Sequence, residues 1–226
     1  MKLENVVPWG RNLNEYKKMF LLTPEDLLSK ILGCADGPSS FNYELTLANG
    51  KVTSIDPIYE FSKEEIQQRI NDTSQTVSQQ LRLNQNDFIW KDIKDVNELI
   101  AIRLEAMNDF LNDYDKGLKE KRYIHEVLPE LSFEENSFDL VLCSHFLFLY
   151  SDNFDTDFHI NSILKMCKIA KKEVRIFPIV DLKNNKSKHL DRVLNSLDEK
   201  GFCSELVKTQ YEFQKGGNEM LRIKIS

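Results

Sequence analysis

At 226 residues the chain is long enough for one α/β domain with a real core, and its 41% apolar and 29% charged residues are an ordinary balance for a soluble globular protein. A net charge of -6 and a pI near 5.4 argue against a partner held by its phosphate backbone, because such binding draws on many Lys and Arg side chains. Four cysteines (Cys34, Cys143, Cys167, Cys203) are scattered without a CxxC pair or clustered His, so neither a metal site nor a disulfide framework is expected.

Met1 to Gly10 is not an apolar signal core, and no run of 18 apolar residues occurs, so the chain is expected to be cytoplasmic, neither exported nor membrane-spanning. Asn12-Leu-Asn-Glu15 reads as a capping box opening a short helix through about Leu21. Thr23-Pro24-Glu-Asp26 supplies a second N-cap with proline at the first helical position. Lys30-Ile-Leu-Gly33 predicts a strand running into a glycine-rich turn, and Lys51 to Ile55 a second strand, closed by Asp56-Pro57. From Ser62 to about Gly117 the pattern is helical, with a capping box at Ser62 and Glu65 and an apolar face through Leu99, Met107, Phe110 and Tyr114. A single crossover helix would suffice between two parallel strands, so segment 62–120 is expected to be a helical insertion.

Strands are predicted at Tyr123 to Val127, at Phe138 to Cys143 and at Glu173 to Val180, with a helix through Phe158, Ile163 and Cys167 between the last two. The Lys183 to Lys188 run reads as a solvated loop. A helix near Lys188 to Lys200 stops at Gly201, a typical residue just past a helix end. Ser204 to Phe213 and Glu219 to Ile225, joined through Gly216-Gly217, read as an antiparallel hairpin. Alternating strands and helices imply an α/β, doubly wound, mostly parallel sheet with that hairpin at one side. No repeat or linker interrupts it, so the expectation is one domain over 1–226, with an N-terminal helical segment at 1–29.

The chemistry begins at Gly33-Cys34-Ala35-Asp36-Gly37-Pro38, directly after the first strand. Small residues at 33, 35 and 37 let backbone approach a ligand where open α/β sheets bind one, although such a turn can also be only a turn. Asp56, 23 residues after Gly33 and at the end of the next strand, has the spacing of an acid that accepts both hydroxyls of a ribose. The alternative is an Asp capping the turn before Pro57. A dinucleotide-binding turn wants G-x-G-x-x-G; here Gly33, Ala35 and Pro38 hold those positions, and Pro38 lacks the N–H a pyrophosphate would use. A nucleoside ligand without phosphates fits better than NAD or FAD.

From about Lys30 to Ser226 the chain resembles the class I S-adenosylmethionine (SAM)-dependent methyltransferases, whose fold is a Rossmann-like seven-stranded sheet. The resemblance rests on Ile31-Leu-Gly-Cys-Ala-Asp-Gly37, on Ile55-Asp56-Pro57, on Leu131 to His145 with Asn136-Ser-Phe-Asp-Leu140 its most specific part, and on the terminal hairpin. It is similar in particular to uncharacterised bacterial methyltransferase-like proteins carrying an N-terminal pattern here met by Gly10-Arg11, Glu15-Tyr16 and Met19-Phe20. The resemblance implies SAM as cofactor, with Gly33, Cys34, Ala35 and Gly37 along its methionyl part, Asp56 on the ribose and Pro57 beside the adenine. The family's acid two residues before the first Gly is Ile31 here. Val127 stands where the adenine-reading acid usually sits, so Glu126, His125 or a backbone group takes that place.

Arg11 offers a bidentate fork for the cofactor's carboxylate, with Trp9 and Tyr16 as aromatic walls; the alternative is a surface Arg on a capping segment. Ser144 and His145 end the fourth predicted strand, Ser144 on the cofactor side and His145 as a candidate general base or else a packed, hydrogen-bonded residue. Phe146 to Tyr150 reads as core. Cys143-Ser-His-Phe replaces the Asn-Pro-Pro-Tyr-like run of enzymes that methylate exocyclic amines, and no Pro-Cys dipeptide offers a cytosine C5 nucleophile. The reading is therefore a methyltransferase for a small-molecule acceptor, without nucleic acid or membrane as partner, covered by a lid made of 62–120 and the N-terminal segment. Its rivals are a non-catalytic binding or regulatory protein on the same fold and a nucleotide-dependent oxidoreductase. No motif specifies the acceptor or the oligomeric state.

Overall fold

The computed structural model describes residues 6–225; residues 1–5 of the expected N-terminal segment and Ser226 lie outside the described residues. The seven strands are β1 (Lys30–Cys34), β2 (Lys51–Ile55), β3 (Tyr123–Ile124), β4 (Phe138–Ser144), β5 (Ala170–Phe177), β6 (Cys203–Lys208) and β7 (Glu219–Lys224). They form one sheet in the order β3-β2-β1-β4-β5-β7-β6. Pairing is parallel from β3 through β5 and antiparallel for β5–β7 and β7–β6. The chain order reverses between β1 and β4, which puts a crevice at the C-terminal ends of those strands.

Central strands β1 and β4 are buried on both faces, which is why they read as unbroken apolar runs. One face packs Leu32, Val141, Cys143 and Ile176 under α6 (Thr156–Ile169) and α7 (Leu190–Glu199). The other packs Ile31, Leu140, Leu142 and Phe177 under α1 (Leu13–Phe20) and α3 (Phe41–Leu47). Helix α1 is fixed at its start by reciprocal bonds: the Glu15 N–H donates to Asn12 Oδ1 at 2.9 Å and the Asn12 N–H to Glu15 Oε2 at 3.2 Å. The short α2 (Pro24–Leu28) uses Thr23 and Asp26 in the same way.

The segment between β2 and β3 folds as two long helices, α4 (Lys63–Leu83) and α5 (Val96–Lys119), joined through a 3-10 turn at Gln85–Asp87. They bury a separate cluster of Tyr59, Ile66, Ile70, Phe110, Tyr114 and Tyr123. Among the described residues no helix is long and apolar enough to cross a membrane.

Several boundaries differ from the sequence reading. The strand expected at 173–180 begins at Ala170, in line with Phe138 of β4, and stops at Phe177 because Pro178 lacks an N–H for the ladder. The strand expected at 123–127 pairs with β2 only through Tyr123 and Ile124. The strand expected to reach Phe213 ends at Lys208. Residues 209–218 then form a loop that folds back toward β4 and α5, with the Gln210 N–H on the Lys18 carbonyl at 3.2 Å. The turn at Gly216-Gly217 closes this loop and does not join the strands directly.

Candidate functional site

The β1–α3 turn is shaped by side chains that need its glycines. A Cβ on Gly33 would lie 1.9 Å from Asp36 Oδ2, so Gly33 is the residue that lets the Asp36 carboxylate fold back over β1. Gly37 adopts φ 56°, in the left-handed region that glycine occupies without a Cβ penalty. Its N–H donates to Asp56 Oδ2 at 2.9 Å and its carbonyl accepts the Tyr59 hydroxyl at 2.7 Å. Asp56 Oδ1 accepts the Ile58 N–H at 2.8 Å, capping the 3-10 turn Pro57–Glu60. Asp56 thus ties the first turn to the second, and the capping alternative left open by the sequence is part of what it does.

Asp36 is buried and accepts the Tyr16 hydroxyl at 2.7 Å and the Ser54 hydroxyl at 2.6 Å. Burial pushes its carboxyl up to about 6, with nearby Asp56 adding to the rise. Burial likewise pushes Asp56 up to about 6, against its two backbone hydrogen bonds. Two acids that titrate near neutrality therefore face one another across the turn.

The N-terminal strap crosses this turn. Gly10 is required there, since a Cβ would sit 2.0 Å from the Pro38 carbonyl oxygen. The Ser39 hydroxyl donates to the Arg11 carbonyl, and the Tyr16 ring stacks on Phe41 at 4.0 Å. Beneath the strap lies a cleft of about 520 Å³ at the C-terminal edge of the sheet. Ala35, Asp36, Gly37, Asp56, Pro57, Ser144, His145 and Arg11 all line it, with Trp9 from the strap and Arg69 from α4. The fold thus brings together most of the residues singled out in the sequence.

It leaves others outside. Gly33 and Cys34 lie beneath the turn, with Cys34 in the core; neither reaches the cleft. Glu126 turns away from it, accepting the Ser132 N–H at 3.1 Å and the Ser132 hydroxyl. His125 Nδ1 lies 3.1 Å from the Pro57 carbonyl oxygen. Val127 and Leu128 are the residues of that segment that form the wall.

His145 sits at φ 52° just past β4, its N–H on the Phe177 carbonyl at 2.6 Å and its Nδ1 2.9 Å from Ser144 Oγ. Desolvation, and after it the Arg11 and Arg103 guanidiniums, hold its pKa well below the usual histidine value, so the ring is neutral.

Beyond His145 opens a second cavity, of about 90 Å³, which shares Val7, Trp9, Arg11 and His145 with the first. Its polar wall was missed in the sequence. Arg103 of α5, 1% exposed, is ion-paired with Glu15 and donates to the Tyr211 hydroxyl at 3.2 Å; that hydroxyl donates to Glu15 Oε1 at 3.0 Å. A signal existed: Arg103 stands between Leu99 and Met107, four residues from each, on the buried stripe of its helix.

No family model matches the chain. Uncharacterized protein MJ0045 of Methanocaldococcus jannaschii is 36% identical to it over 225 residues, spanning 99% of this chain and 98% of that protein. The chain belongs to the MJ0045 family. This relative is archaeal, where the sequence resemblance pointed to bacterial proteins. Among solved structures the MJ0045-family chain is similar to magnesium protoporphyrin IX methyltransferase from Synechocystis PCC 6803, a structure with bound SAM. The TM-score is 0.51 at 12% identity, covering 95% of this chain and 78% of that one. It is also similar to a TehB-like SAM-dependent methyltransferase from Corynebacterium glutamicum, with TM-score 0.50 at 14% identity over 94% and 86% of the two chains. At such identities the likeness is one of fold: the MJ0045-family chain has the fold of the class I SAM-dependent methyltransferases.

Proposed function

We propose that the protein is a SAM-dependent methyltransferase acting on a small-molecule acceptor in the cytoplasm. The observation that carries this reading is the pair of carboxylates, Asp36 and Asp56, fixed across the Gly37 turn in one wall of a cleft that shares Trp9, Arg11 and His145 with a second cavity. The donor set suits SAM. Asp56 accepts the ribose hydroxyls, and Asp36 meets the amino group in place of the acid that Ile31, fully buried in the core, cannot supply. Pro57 and Ile58 flank the adenine, whose amino edge faces backbone at Val127 and Leu128, since Glu126 and His125 are engaged elsewhere. Arg11, whose Nη1 is spent on the Trp9 carbonyl at 2.6 Å while its buried Nε has no partner, keeps further donors for the cofactor's carboxylate. Pro38 removes the backbone donor a pyrophosphate would want, which weighs against NAD.

Bound SAM supplies a methyl group activated on a sulfonium. The chain's own part is to align the acceptor and keep water out, since in-line transfer depends chiefly on positioning. His145, neutral and bonded to Ser144, is the group that takes a proton from an acceptor that has one to lose. The whole chain acts as one domain, with the strap and helices α4 and α5 as its lid. Calorimetric titration with SAM, with its demethylated product S-adenosylhomocysteine (SAH) and with NAD is the test. Saturable binding of both sulfur ligands without NAD binding is expected; saturable NAD binding with no response to SAM or SAH overturns the reading.

A further inference from the structure

The second cavity has walls of opposite character. Its body is apolar, from Val77, Leu81, Phe88, Leu149, Phe177 and Phe213. Arg11 stands on the side it shares with the cofactor cleft, and Arg103 lines this cavity alone. The two guanidiniums act on one another and share a single carboxylate, Glu15, which is spent in the ion pair with Arg103. Asp87 also lines the cavity, from the 3-10 turn between α4 and α5. Counting Glu15 and Asp87, two positive charges meet two negative ones, and Glu15 is already taken up by Arg103.

Arg11, half-buried and without an ion pair among the described residues, keeps a charge at the cavity wall that a bound anion would offset. The Nε atoms of both Arg11 and Arg103 are, in addition, buried with no hydrogen-bond partner among the described residues. Both Nε atoms are closed off from the cavity as well as from water, so an anion there would meet the Nη atoms, of which Arg11 keeps Nη2 unengaged among the described residues.

We infer that this cavity holds the methyl acceptor and that the acceptor is a small apolar carboxylic acid, its carboxylate against Arg103 and Arg11 and its hydrocarbon part among the aromatic and aliphatic walls. A monoanion suits the site better than a phosphate dianion, because Asp87 on the same wall repels a second negative charge. Arg11, with five donors and one of them used inside the protein, has edges enough to face both cavities. The carboxylate would also offset the two guanidiniums that add to desolvation in keeping His145 uncharged. The word acceptor rests on the methyltransferase reading; the inference of an anion site does not.

The test is calorimetry on the full chain, with and without saturating SAH, using carboxylic acids of increasing size from acetate through hexanoate, benzoate and phenylacetate. Each acid is compared with the amide of the same skeleton. At least one acid should bind the SAH-loaded protein, its amide should bind about tenfold more weakly or not at all, and Arg11→Gln should cost the acid about tenfold. Arg11 makes one side-chain hydrogen bond among the described residues, so this variant should keep its fold, which circular dichroism checks. The inference is overturned if no acid binds, if amides bind as well as acids, if Arg11→Gln leaves acid affinity unchanged, or if acids displace SAH rather than bind beside it. SAH binding without acid binding removes this inference alone. Acid binding without SAH binding removes the cofactor reading and leaves the anion site standing.

Discussion

The two cavities under the N-terminal strap differ in charge and in how the chain builds them. The first presents two carboxyls, Asp36 and Asp56, on turns that follow adjacent parallel strands. The second presents two guanidiniums, assembled from the strap, the insertion helices, the end of β4 and the loop after β6. In the proposed function the acidic side would face a cofactor with a cationic head and sugar hydroxyls, and the basic side an anion. The partition between them is made of Trp9, Arg11 and His145, so whatever moves the strap moves both sites.

The largest effect expected from breaking this contrast is at Glu15. Replacing it by Ala leaves Arg103 buried without its ion-pair partner and removes half of the α1 capping box. Loss of one partner of a buried pair costs about 3–5 kcal/mol, which denaturant unfolding should reveal as a lowered midpoint. An unchanged midpoint would mean that the cluster is open to water.

Asp56→Asn comes next. It should weaken SAH by about 1.5–3 kcal/mol, the scale for lost hydrogen bonds to a charged group. Because Asp56 also holds the Gly37 and Ile58 N–H groups, thermal stability should fall too. A fall in stability with SAH affinity intact would leave Asp56 as a turn cap alone.

The smallest effect is on dynamics. Amide exchange at residues 6–20 and 62–120 should slow when SAH binds, since the strap and α4 both contribute to the cofactor cleft. Equal protection with and without ligand would make these segments fixed walls.

The same contrast explains what could be read from the sequence. The sheet was legible because β1, β4 and β7 are each a continuous or alternating apolar run bounded by turn residues. The acidic cleft was largely legible because its parts lie one turn after a strand, at fixed spacing. Asp36 was nevertheless passed over, since nothing local shows that Tyr16 and Ser54 converge on it. The basic cavity was not legible: Glu15, Arg103 and Tyr211 are up to 196 residues apart and meet only through tertiary packing. Glu126 misled for a related reason, because Ser132 six residues later draws its carboxylate away from the cleft. The β5 start was misplaced because pairing with Phe138 begins at Ala170, ahead of the apolar run and across exposed Lys171 and Lys172. The 209–218 loop was misplaced because the alternation through Tyr211 and Phe213 continues past Lys208, where pairing with β7 ends.

In the proposed function two titrating carboxyls, Asp36 and Asp56, hold the cofactor. Folding raises both from 3.8 to about 6, so between those values the native protein binds more protons than the unfolded chain. Their contribution to stability is therefore greatest at low pH and is lost as pH rises through about 6. Cofactor binding has the opposite dependence, because ribose hydroxyls and an ammonium group favour the ionised forms. Calorimetric SAH affinity measured from pH 8 down to pH 5 tests this most directly. It should be level at the alkaline end and fall on acidification through about 6, with a shallower fall in Asp56→Asn. Affinity that stays constant or rises on acidification through that window would contradict the account.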